Sequence, residues 1–107
     1  MAIILVVDDE VYIRELIKTA LSSRGHHIVD FDNGVDAIEY VKGNQIDVAI
    51  VDLVMPKKGG IETLMEIRDS NRNIKIVAIS GKIETQADAI QGLAQQFNVD
   101  KVLSKPF

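Results

Sequence analysis

Ile3-Ile4-Leu5-Val6-Val7-Asp8-Asp9 decides the fold: five consecutive apolar residues run straight into two acids. The run is short and apolar at every position, the pattern of a strand buried on both sides in a parallel sheet. Three later runs have the same form. Val48-Ala49-Ile50-Val51 ends in Asp52, Ile76-Val77-Ala78-Ile79 ends in Ser80-Gly81, and Val102-Leu103 ends in Ser104-Lys105-Pro106. If these runs are parallel strands, their carboxyl ends lie along one edge of one sheet. Asp8, Asp9, Asp52, Ser80 and Lys105 then converge at the edge where open α/β sheets bind ligands.

The segments between these runs have helical periodicity. Ile13, Leu16, Ile17, Ala20 and Leu21 fall on one face of a first helix, which Gly25 should stop. A strand over residues 27–31 follows, then Asn33-Gly34 and a short helix with Ala37, Ile38 and Val41 inward, ended by Gly43-Asn44. The next strand spans 46–51. Met55-Pro56 and Gly59-Gly60 mark a loop before a helix carrying Ile61, Leu64, Met65 and Ile67. A fourth strand spans 74–79, a fourth helix places Ile83, Ala87, Ile90, Ala94 and Phe97 on one face, and a fifth strand spans 99–103. Strands alternating with helices define an α/β protein, here one domain over residues 1–107. In a flavodoxin-like, doubly wound order 2-1-3-4-5, right-handed crossovers put the first helix alone on one face and the other three on the opposite face. The chain reaches Phe107 without residues for a fifth helix. Part of strands three to five is therefore expected to be bare on the first helix's side.

Composition narrows the function. A chain of 107 residues with 47% hydrophobic and 26% charged residues is ordinary for a soluble domain. No apolar stretch approaches the ~20 residues that span a bilayer, so no membrane insertion is expected. Met1-Ala2-Ile3 lacks the basic start of a signal peptide, and a cytoplasmic location is the default. The absence of cysteine excludes disulfides and thiolate metal sites. Twelve basic against sixteen acidic residues, a net charge of −4, argue against direct nucleic-acid binding.

Crowding Asp8, Asp9 and Asp52 is costly unless something positive joins them, because like charges destabilise each other's ionised forms. A divalent cation removes that cost. Magnesium takes oxygen ligands and is typically held by one or two carboxylates together with phosphate oxygens and water. Such a site leaves a carboxylate able to attack phosphorus. Lys105 supplies a mobile point charge for phosphoryl oxygens and Ser80 a hydroxyl donor, and phosphoryl transfer depends on such positioning and neutralisation. Pro106 biases Lys105 towards extended backbone, as befits a strand end.

Val-Val-Asp-Asp-Glu at 6–10, Val-Asp-Leu-Val-Met-Pro at 51–56, Gly-Gly at 59–60, Ser-Gly at 80–81 and Lys-Pro-Phe at 105–107 together resemble the receiver domain of two-component response regulators. The resemblance covers the whole chain in order. It implies that Asp52 is the phosphoacceptor, taking a phosphoryl group from a histidine kinase or histidine phosphotransfer protein and signalling to an output partner. It also implies magnesium held by Asp9, Asp52 and the backbone carbonyl of Val54, with Asp8 acting on the ion through water. Lys105 matches the lysine that contacts phosphate, Ser80 the switch hydroxyl, and Gly81 the small residue that leaves the pocket open. Such a domain is a signalling switch that assists its own phosphorylation and dephosphorylation, not an enzyme with a separate substrate.

Three positions depart from the pattern. Val102 stands where many receivers carry a switch aromatic, so the common coupled movement of hydroxyl and aromatic is not expected. Val54 has an apolar side chain where some receivers carry a polar one near the attacking water, which implies slow hydrolysis of phosphorylated Asp52. Receivers normally continue into a fifth helix, on which many build their output surface; either the chain continues beyond Phe107, or the bare apolar face pairs with a partner or with a second copy in a homodimer.

Plainer readings exist. Asp9 could cap the first helix, Asp52 could be a loop carboxylate, Ser80 a strand-ending hydroxyl and Lys105 a solvated surface lysine. His26 and His27 lie in a turn without a second ligand cluster, and Lys57-Lys58 make no nucleic-acid patch. The alternative function is a phosphorylation-independent interaction or dimerisation module on the same fold. A phosphohydrolase of haloacid-dehalogenase type needs an Asp two residues beyond the nucleophile, and Val54 occupies that place. No G-x-G-x-x-G or G-x-x-x-x-G-K follows the first strand, which argues against nucleotide binding.

Overall fold

The computed structural model describes residues 1–53, 55, 59–81, 92 and 95–104. These residues form five strands and three helices in the order β1 (Ile3–Val7), α1 (Val11–Ser22), β2 (His27–Phe31), α2 (Gly34–Gly43), β3 (Val48–Asp52), α3 (Gly60–Ser70), β4 (Lys75–Ser80) and β5 (Lys101–Ser104). All strand pairs are parallel and the order is β2-β1-β3-β4-β5, the flavodoxin-like order expected. Of the fourth expected helix, residues 82–91, 93 and 94 lie outside the described residues, while Gly92, Gln95 and Gln96 are helical. Strands three, four and five begin one or two residues later than their apolar runs suggest, and each extends one residue further. Ile46 and Ile74 are buried ahead of their strands, so hydrophobicity there reports core packing and not strand pairing.

Strand alternation divides the sheet's side chains between two faces. Leu5, Val7, Ala49, Val51, Ile76 and Ala78 pack with Ala37, Ile38 and Val41 of α2 and Leu64 and Ile67 of α3 in one core cluster. The intervening positions point to the other face, where α1 packs on β1 and β2. There Ile4, Val6, Ile13 and Ile79 are buried, but Val48, Ile50 and Val77 are only half-buried and Leu103 is 37% exposed. That is the bare stretch expected beyond α1. The apolar stripe of α1 is itself incompletely covered: Ile13 is buried and Ile17 and Leu21 half-buried, whereas Leu16 and Ala20 are exposed. Periodicity placed Leu16 and Ala20 inward, yet both face solvent, because α1 packs on β1 and β2 along the Ile13 and Ile17 side.

Side chains secure the edge where the strands begin. Asp47, just before β3, donates its N–H to the Ile3 carbonyl and accepts the Ile3 N–H on Oδ2 at 2.8 Å. Asp100, just before β5, does the same with Ile76, again at 2.8 Å. Each aspartate thus adds a rung to the parallel ladder beyond its strand. Arg68, at the end of α3, donates to four carbonyls: Phe97 at 2.9 Å, Arg72 at 2.8 Å, Ile74 at 2.7 Å and Asn98 at 2.8 Å. Asn98 has φ of 53°, a left-handed turn before β5 for which asparagine is better suited than most residues.

Candidate functional site

Register sets the site. Val7 of β1 pairs with Val51 of β3, so Asp8 and Asp52 follow in the same row. Asp52 pairs with Ile79 of β4, which puts Ser80 one row beyond, and Ser80 pairs with Ser104 of β5. β1, β3 and β4 end at these rows, which places Asp8, Asp52 and Ser80 at one edge of the sheet. Asp8 and Ser80 are fully buried and Asp52 is 2% exposed, whereas Asp9 and Glu10 face solvent. One carboxylate oxygen from each of Asp8, Asp9, Glu10 and Asp52 lies within 4.8 Å of the others.

Local bonds explain how the chain holds this arrangement. Asp8 donates its N–H to the Phe31 carbonyl at 3.1 Å and accepts the Glu10 N–H on Oδ1 at 2.8 Å, which folds residues 8–10 into a tight turn. Asp9 does not cap α1. The N-cap residue is Glu10, whose side chain makes no capping bond, so Asp9 is left directed at the cluster. On the other strand, Leu53 donates to the Ile79 carbonyl at 2.8 Å. Gly60 brings the start of α3 against the Asp52 backbone: a Cβ built there would overlap the Asp52 carbonyl oxygen and the Leu53 Cα. The residue that opens α3 therefore also seats Asp52.

Of the residues expected in the site, Asp8, Asp9, Asp52 and Ser80 are brought to one edge. Lys105 and Val54 lie outside the described residues. Glu10 joins the cluster although its place after Asp8-Asp9 was the only sequence signal for it. Arg14 was also missed; its helical position gives no hint that its side chain turns back to the Asp8 carbonyl, 2.8 Å away.

The donor set fits a hard divalent cation. It is all oxygen and rich in carboxylate, and it has solvent on the Asp9 and Glu10 side for the waters that magnesium retains. Ser80 Oγ is buried and makes no hydrogen bond among the described residues. Burying a hydroxyl without a partner costs about 1–3 kcal/mol, and an oxygen-rich ligand at the edge would remove that cost.

Comparisons with known proteins agree with this arrangement. The family model described as the response regulator receiver domain matches residues 4–107. The transcriptional regulatory protein DltR of Streptococcus agalactiae is 30% identical over 104 residues, covering 97% of this chain and 45% of that protein. The regulatory protein VanR of Enterococcus faecium is 32% identical over 104 residues, covering 97% of this chain and 43% of that protein. The chain thus spans less than half the length of these relatives. Among solved structures, the response regulator TrrA of Thermotoga maritima, in complex with Mg2+-BeF, is 33% identical with a TM-score of 0.84, covering 100% of this chain and 89% of that one. With the family's signature spread from β1 to the end of the chain and the same topology beneath it, this chain belongs to the response regulator receiver domains of two-component signalling.

Proposed function

We propose that this domain accepts a phosphoryl group on Asp52 from a phosphohistidine of a histidine kinase or phosphotransfer protein, and signals to an output partner through the change that follows. The observation that carries this reading is the meeting of four carboxylates within 4.8 Å at the edge that also holds the buried Ser80 hydroxyl, which makes no hydrogen bond among the described residues. Asp8, Asp9 and Asp52, with the Val54 carbonyl, would hold magnesium, which neutralises the acids and the incoming phosphoryl oxygens. An Asp52 carboxylate oxygen attacks phosphorus, the bond from phosphorus to the imidazole nitrogen breaks, and that nitrogen keeps the electron pair and takes a proton. Ser80 donates its hydroxyl to a phosphoryl oxygen, and Lys105 contributes its ammonium. No helix among the described residues is long and apolar enough to cross a membrane; a cytoplasmic setting, where phosphohistidine donors work, suits the reading. The test is incubation with magnesium and acetyl phosphate, then with beryllofluoride. Wild type should gain one phosphoryl mass and bind the mimic only with magnesium, and Asp52→Asn should do neither. A wild type that takes neither would overturn the reading.

A second reading rests on the half-covered sheet face. Val48, Ile50, Val77 and the 37% exposed Leu103 lie on the side opposite α2 and α3. Burying them against a second copy would make a dimerisation module that works without phosphate. Sedimentation velocity across a concentration series tests it: self-association should be independent of beryllofluoride and weakened by Leu103→Glu. A monomer throughout would rule it out.

A further inference from the structure

Behind the acids, one guanidinium ties the segment that carries Asp8, Asp9 and Glu10 to β2. The Arg14 side chain is 15% exposed. Its Nη1 donates to the Asp8 carbonyl at 2.8 Å and its Nε to Asp30 Oδ2 at 3.0 Å. Its backbone N–H donates to the Glu10 carbonyl at 3.1 Å. The Asp8 end of segment 8–10 is therefore held by the Arg14 side chain, which Asp30 anchors to β2, while the Glu10 end is held by the first backbone bond of α1. Neutralising Asp30 does not by itself require Arg14, because the Lys18 ammonium stands 3.3 Å from Asp30 Oδ1. What Lys18 does not make is the bond to the Asp8 carbonyl.

We infer that Arg14 is a positioning residue for the cation site: it presets the direction in which the Asp8 and Asp9 carboxylates leave the backbone, and thereby raises magnesium affinity. The inference rests on the acidic cluster being a cation site. Arg14 has two opposed effects on a cation. Its charge repels the ion, but Asp30 lies 3.0 Å from the guanidinium and offsets much of that repulsion. Its bridge holds the donors in place, and removing a partner that orients a metal ligand weakens metal binding by about 10–100-fold. Arg14 acts through the Asp8 backbone, so the lower end of that range applies.

The two effects give opposite signs, which makes the experiment decisive. Magnesium is titrated calorimetrically into wild type, Arg14→Lys and Arg14→Gln, with circular dichroism confirming that each variant is folded. Lysine keeps the charge but cannot reproduce the two-ended guanidinium bridge. Both variants should bind magnesium about tenfold more weakly, and saturating magnesium should restore full beryllofluoride binding. Wild-type affinity in Arg14→Lys, or tighter binding in Arg14→Gln, would overturn the inference. Should Arg14→Gln fail to fold, Arg14→Lys alone still decides. Failure of wild type to bind magnesium would count against the cation site and not against Arg14.

Discussion

Replacing Gly60 with alanine inserts a methyl group where α3 begins and β3 ends. The added Cβ would lie 2.7 Å from the Asp52 carbonyl carbon and closer still to the Asp52 carbonyl oxygen and the Leu53 Cα. Carbon atoms ordinarily rest ~3.5–4.0 Å apart, so the Asp52 carbonyl carbon and the new methyl must separate by about 1 Å. All three clashing atoms are backbone, so no rotamer change relieves the overlap. Overpacking of this kind costs typically ~1–3 kcal/mol, and alanine's better helix propensity returns at most ~1 kcal/mol. The expected net loss is about 1–2 kcal/mol, or a fall of roughly 4–16 °C in thermal midpoint for a domain of this size. Urea unfolding should show a lower midpoint with an unchanged slope. Magnesium binding should weaken in the folded protein, because the displaced backbone carries Asp52. Gly43→Ala is the control: nothing lies within 4 Å of its Cβ, so it should be neutral or stabilising by up to ~1 kcal/mol. If Gly60→Ala matches that control in both measurements, Gly60 does not seat Asp52.

Three other outcomes are expected. Asp9→Asn removes one charge from a cluster whose carboxylate oxygens lie within 4.8 Å. Discounted for solvent exposure, relief of repulsion should raise magnesium-free stability by about 0.5 kcal/mol while magnesium affinity falls; a fall in both would argue against mutual repulsion. Asp47→Ala and Asp100→Ala each delete a side-chain rung, at a cost of about 1 kcal/mol, and chemical denaturation should show this with no change in magnesium affinity. Phosphorylated Asp52 should keep its label for minutes or longer because of the apolar Val54 side chain, and loss of label within seconds in the isolated protein would contradict that assignment.

Much of this was legible because burial on both faces leaves no ambiguity of strand phase. The runs at 3–7 and 48–51 are apolar at every position, and both became strands of the expected sheet. The acids were legible because strand ends in a parallel sheet must share an edge. Helix faces were less so. Leu16 and Ala20 repeat at the right interval, but periodicity does not say how much of the stripe another element will cover, and both are exposed. Arg14 was invisible for a different reason. A long flexible side chain reaches the Asp8 carbonyl only once β1, β2 and α1 have been assembled, and no local pattern records that. Glu10 was passed over because Asp8-Asp9 already satisfied the expected pattern.

The paired bonds of Asp47 and Asp100 and the fourfold grip of Arg68 have a consequence for the opposite rim of the sheet. They brace the end of the molecule farthest along the strands from Asp8 and Asp52, in groups that take no part in the carboxylate cluster. The crowded acids and the bonds that anchor the strand beginnings are thus at opposite rims of one sheet. Filling or emptying the acidic rim would therefore leave the register of the strand beginnings untouched.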